Sequence, residues 1–71
     1  MAYYFLKKYR LESGEALLGT LIAEWVLSAE SDPAAVERAG EHLQKVGLDQ
    51  PDSEFAVLFD YRGEIVWDRG P

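Results

Sequence analysis

The chain has no cysteine among its 71 residues. Disulfides and thiolate metal sites are therefore excluded, and the composition fits a cytoplasmic setting. Positive charge is also scarce. Seven Lys and Arg stand against thirteen Asp and Glu, for a net charge of −6. Nucleic-acid affinity rests largely on Lys and Arg neutralising phosphates, so the balance weighs against a generic polyanion binder. Acidity favours solubility and basic partners instead.

Long hydrophobic runs are missing too. The longest, "ALLGTLIAEWVLSA", is 14 residues and contains Glu24, whereas a membrane span needs about 20. No basic segment leads into an apolar one at the start, so no signal peptide is expected. The six glycines are scattered, and no dinucleotide or P-loop spacing occurs. With one histidine and no Gly-x-Ser-x-Gly stretch, nothing supports acyl transfer. His42 has Glu41 as its neighbour, but adjacent helical residues point about 100° apart, and metal motifs want ligands at i and i+4. His42 is therefore expected at a surface or boundary. No catalytic group, metal or cofactor is expected.

What the chain does have is apolar and aromatic weight: 48% hydrophobic residues, nine of them aromatic. A single domain over residues 1–71 is expected. A domain this small buries only about 60% of its unfolded surface. Without a staple, it needs very good packing or a second subunit.

The opening "AYYFLKKYRLE" is dense in aromatic residues and reads as a strand. Tyr3, Phe5, Lys7, Tyr9 and Leu11 are assigned to its core side, with Lys7 snorkelling out. Ser13 and Gly14 break the strand, with Ser13 as a helix cap and Glu15 in the first turn. Leu17, Leu18, Leu21, Ile22, Trp25 and Val26 recur at i, i+1, i+4, i+5, i+8 and i+9. That spacing predicts a helix over residues 14–30. A second helix is punctuated by Asp32 as N-cap, Pro33 at the first position and Gly47 past the end. Leu43 and Leu48 would close it as the hydrophobic pair of a Schellman ending. Ala35, Val36, Ala39, Leu43 and Val46 form its apolar stripe, and Glu41 and Lys45 an i,i+4 pair.

"EFAVLFDYRGEIVWDRGP" reads as a hairpin. Asp60 begins a type I turn and Gly63 takes the left-handed position of a bulge. Asp60 then opposes Glu64, Phe59 opposes Ile65, and Val57 opposes Trp67. The expected fold is α+β, in the order β-α-α-β-β. It has a three-stranded, mainly antiparallel sheet, with two helices on one face and the first strand joined to the hairpin.

That arrangement leaves an outer sheet face of Tyr4, Leu6, Ala56, Leu58 and Val66. Lys8, Arg10, Asp60, Glu64 and Asp68 would rim it. An apolar patch with a charged rim marks an interaction surface. Tyr4, Leu6, Leu58 and Val66 are the candidate protein interface, and the alternative is that a helix of the same chain covers them. The functional expectation is a small, non-enzymatic interaction or regulatory domain with a protein partner, most simply a homodimer. The alternative is a nucleic-acid-binding protein using the aromatic and basic first strand over residues 3–10, through Lys7, Lys8 and Arg10.

Overall fold

The computed structural model describes residues 2–11, 19–47 and 53–69. Four strands and one helix follow in chain order: β1 (Ala2–Leu11), β2 (Gly19–Ala29), α1 (Asp32–Val46), β3 (Glu54–Phe59) and β4 (Ile65–Arg69). The sheet runs β2-β1-β3-β4, with every neighbouring pair antiparallel. The fold is α+β, but the expected three-stranded sheet with two helices is corrected. The sheet has four strands, and among the described residues there is one helix. Strand β1 does join the C-terminal hairpin, antiparallel to β3.

The correction falls on residues 19–29. Thr20, Ile22 and Val26 are β-branched and Trp25 is aromatic, and such residues suit a pleated strand better than a helix. Glu24 lies opposite Lys7 in the register and pairs with it at 3.6 Å. Apolar residues occupy both sides of this strand, so its period of two is hidden and a helical spacing can be read through it. The remaining members of the expected helix, including its cap Ser13, Glu15, Leu17 and Leu18, lie outside the described residues.

Helix α1 forms where the punctuation places it. Its cap is Ser31 rather than Asp32: the Ser31 hydroxyl accepts from the Ala34 N–H at 3.3 Å. Asp32 is instead engaged by β1, as Tyr4 donates its hydroxyl to Asp32 Oδ1 at 2.7 Å. That bond is the main reason the Tyr4 phenol is held above its ordinary pKa. Gly47 ends the helix at φ 70°, donating its N–H to the Leu43 carbonyl at 2.7 Å. Leu48, the partner expected for Leu43 there, lies outside the described residues. The expected Glu41–Lys45 ion pair is not formed among the described residues.

The hairpin turn matches its sequence. Asp60 and Glu64 face one another through an Asp60 N–H to Glu64 carbonyl bond of 2.9 Å. Gly63 has φ 83°, and Phe59 opposes Ile65. The Asp60 carboxylate accepts from the Glu64 and Arg62 amides at 2.9 and 2.8 Å. Chiefly through the Glu64 bond, its pKa is held below the ordinary aspartate value. Beyond the turn the register departs from expectation. A bulge between Leu58 and Phe59 brings Trp67 opposite Leu58 and Asp68 opposite Val57. One inserted residue moves all later side chains to the other face.

The core lies between α1 and one face of the sheet. Leu6 and Leu58 oppose one another there at 0% exposure, with Tyr4, Ala29 and Ala56 beside them. Ala35, Ala39 and Leu43 of α1 are buried over them, and Trp25, Leu27, Val66 and Trp67 pack around the cluster. Fully burying one leucine contributes about 1.5–3 kcal/mol, so this pair is the centre of the fold's stability. The two alanines let the helix approach closely.

Gly19 tests the corrected element. A Cβ there would sit 2.8 Å from the Arg10 carbonyl oxygen and 3.0 Å from Tyr9 Cβ. Gly40 lies inside α1 with nothing within 4 Å of a new Cβ. Gly40→Ala should stabilise the protein by about 0.5–1 kcal/mol through helix propensity, and Gly19→Ala should destabilise it. Urea unfolding of both variants measures this. Stabilisation by both would mean that residues 19–29 are helical.

Candidate functional site

Alternation along the strands sends a second set of side chains to the side of the sheet away from α1. From β1 these are Tyr3, Phe5, Lys7 and Tyr9. Their register partners on that face are Val26, Glu24 and Leu21 of β2, then Phe59, Val57 and Phe55 of β3. Ile65 and Asp68 of β4 complete it. Among the described residues, no element packs on this face.

The middle of the face is shielded by its own side chains. Val57 is buried, while Phe5, Tyr9, Phe55 and Phe59 are half-buried. Tyr9 and Phe55, directly opposed across the strands, stack with centroids 5.1 Å apart and planes 16° from parallel. Such a pair contributes about 0.5–1.5 kcal/mol beyond its buried area. Lys7 Nζ lies 5.1 Å from the Phe59 ring centroid and 3.6 Å from Glu24. The margin is open: Tyr3 is 63% exposed, Val26 60%, Ile65 65% and Leu21 48%. They surround the half-buried aromatic centre, and an apolar face of this kind marks an interaction surface.

The expected interface residues are not on this face. Tyr4, Leu6 and Leu58 belong to the buried core, and Val66 packs against it. This corrects the facing assigned from the sequence. The side expected to be outer is the one α1 covers, and the side expected to be core is the open one. Two causes combine. Among the described residues one helix stands in place of two and covers one face, and the small residues Ala35 and Ala39 fit over Leu6 and Leu58 more closely than over aromatic rings. Lys7, an awkward member of a core face, is comfortable on an open one.

The three basic residues of the first strand do not gather. Lys7 is on the open face. Lys8 and Arg10 are on the covered one, where both meet Glu54, at 3.7 Å and 3.2 Å. Glu54 is 0% exposed and Lys8 is buried. Lys8 is thus held inside the fold, and Arg10, 41% exposed, is ion-paired at its edge. Asp60 is buried in its own turn, and Glu64 is bridged to Arg62 at 3.0 Å. His42 is half-buried at the helix boundary, its ring edge-on to Trp25 with centroids 4.6 Å apart. Among the described residues, no group of His, Asp and Glu could hold a metal ion. No described helix is long and apolar enough to cross a membrane.

No protein-family model, curated protein or solved structure matches the chain.

The open face is hidden in the sequence because β2 carries a helical spacing. The signal for it is Glu24. A lone carboxylate in the middle of an apolar run is awkward on a buried helix, but it is a natural cross-strand partner for Lys7.

Burial separates the two Lys–Glu pairs of β1. Glu54→Gln leaves buried Lys8 without a counter-charge and should cost about 3–5 kcal/mol. Glu24→Gln, in a partly exposed pair, should cost less than about 1 kcal/mol. Chemical denaturation of both variants checks this. Equal losses would contradict the placement of Glu54 on the covered face.

Proposed function

We propose that this chain is a non-enzymatic protein-interaction domain that self-associates through the open sheet face, in an intracellular reducing setting. The observation that carries the reading is the aromatic and aliphatic face left uncovered opposite α1, with Tyr3, Leu21, Val26 and Ile65 exposed along it. Sheets packed face to face through such surfaces form layers about 10 Å apart.

Charge favours a second copy as the occupant. The chain is strongly acidic, at −6, so two copies repel one another over most of their surfaces. The open face is the exception. Its one cation, Lys7, is balanced by Glu24 at 3.6 Å, and Asp68 stands toward the edge strand. Across a two-fold axis, Lys7 of each copy can exchange carboxylate partners with the other, which fixes a register. Closed two-fold dimers are the commonest symmetric assembly.

The four strands, of 10, 11, 6 and 5 residues, at roughly 3.3 Å per residue and 4.8 Å per strand, outline a face of about 500 Å² before corrugation, against about 800 Å² per partner in a stable interface. The aromatic side chains could also stack nucleic-acid bases. Among the described residues Lys7 is the face's one cation, however, and Lys8 and Arg10 are turned to the other side against Glu54. The nucleic-acid reading therefore loses its phosphate contacts.

Light scattering on the intact chain tests the proposal. At tens of micromolar the mass should be twice the 8.0 kDa of one chain. The double variant Leu21→Lys/Ile65→Lys changes two exposed positions at opposite ends of the face. It should keep the wild-type circular dichroism and fall to the single mass. A wild-type protein that stays at the single mass at high micromolar concentration would overturn the homodimer.

A further inference from the structure

Strand β2 is one edge of the sheet, and α1 packs against it. Between them runs an open groove of about 310 Å³. It is lined by Val26, Leu27 and Ser28 of the strand and by Arg38, Glu41, His42 and Lys45 of the helix. The open sheet face, which carries the dimer proposal, meets this groove at Val26 and Ser28.

The strand side of the groove offers backbone. In an antiparallel edge strand, alternate residues turn both N–H and C=O away from the neighbouring strand. At least one of three consecutive residues therefore presents an unpaired donor and acceptor. Proteins usually blunt such edges with lysine, proline, a bulge or brevity. β2 is 11 residues long and holds neither lysine nor proline. Its one irregularity lies opposite Lys8 and Tyr9, and the register from Ala23 to Ala29 is continuous. The stretch beside the helix is thus a regular, unguarded edge.

The helix side offers two positive charges, Arg38 and Lys45, with His42 between them. Arg38, His42 and Lys45 are spaced i, i+4 and i+7, which places them on one helix face. Among the described residues, Arg38 and Lys45 form no ion pair. His42 Nε2 is buried with no hydrogen-bond partner. Glu41 is the one carboxylate of the lining. In a chain of net charge −6, Arg38 and Lys45 against Glu41 make a local excess of positive charge.

We propose that the β2–α1 groove binds an extended acidic peptide segment of a partner protein. The segment adds a fifth strand at Val26–Ser28 and sets its carboxylates against Arg38 and Lys45. Backbone pairing supplies general affinity in strand addition, and flanking groups supply the selection. Here the flanking groups select negative charge. A nucleic-acid backbone would satisfy the cations but would leave the edge donors and acceptors unused.

The test is an NMR titration of the ¹⁵N-labelled chain. The probe is a capped peptide of about eight residues alternating glutamate and valine, and the control alternates lysine and valine. The glutamate peptide should give saturable shifts at the Val26, Leu27 and Ser28 amides, and the lysine peptide should not. Arg38→Glu/Lys45→Glu alters two exposed positions and should keep the rest of the spectrum while weakening binding at least about tenfold. The Leu21→Lys/Ile65→Lys variant should bind as wild type, which separates this site from the dimer face. Three results would overturn the proposal. Both peptides could shift the same amides equally, or the charge-reversed variant could bind unchanged. A single-stranded oligonucleotide could saturate the groove more tightly than the peptide.

Discussion

One helix can cover one face of this sheet. Helix α1 has 15 residues, a rod about 22 Å long and about 10 Å wide, and the four strands span about twice that width. The other described features follow from that limit. The covered face takes the close-fitting aliphatic pair Leu6 and Leu58, and the helix presents Ala35, Ala39 and Leu43 to it. Tyr3, Phe5, Tyr9, Phe55 and Phe59 fall on the open face, where Tyr9 stacks on Phe55 and Lys7 lies over Phe59. A small domain without staples has an incentive to cover such a surface, and the functional reading grows from there.

Charge on β1 is sorted by the same division. Consecutive residues Lys7 and Lys8 point to opposite faces and meet different partners. Lys7 meets Glu24 in a partly exposed pair, and Lys8 meets Glu54 in a buried one. Removing one partner of the buried pair strands a charge, whereas the exposed pair can exchange its partner for water or for another chain. The buried set therefore helps fix which face is inside. The exposed set is the part available for recognition.

Local chemistry was legible in the sequence, and facing was not. Gly47, Pro33 and the stripe of Ala35, Ala39 and Leu43 mark α1 to within a residue of its observed start, because capping and turn geometry are written in adjacent residues. Asp60 and Gly63 mark the turn for the same reason. β2 was hidden because Leu21, Ile22, Val26 and Leu27 put apolar groups on both its sides, which mimics a helical spacing. The facing of β1 was ambiguous because Tyr3, Phe5 and Tyr9 compete with Tyr4 and Leu6, and only the position of α1 decides between them. The bulge beside Phe59 carries no turn residue, so the inversion of β4 that puts Trp67 over Leu58 had no local sign. The candidate interface inherited these errors and fell on the covered side.

The central claim is which face α1 covers, and methyl NOEs measure that directly. In a ¹³C-edited NOESY spectrum, the methyls of Ala39 and Leu43 should show cross-peaks to Leu6 and Leu58. The Val57 methyls should show them to the rings of the open face and none to α1. Cross-peaks from Ala39 or Leu43 to Val57, Phe55 or Phe59, with none to Leu6 and Leu58, would contradict the account.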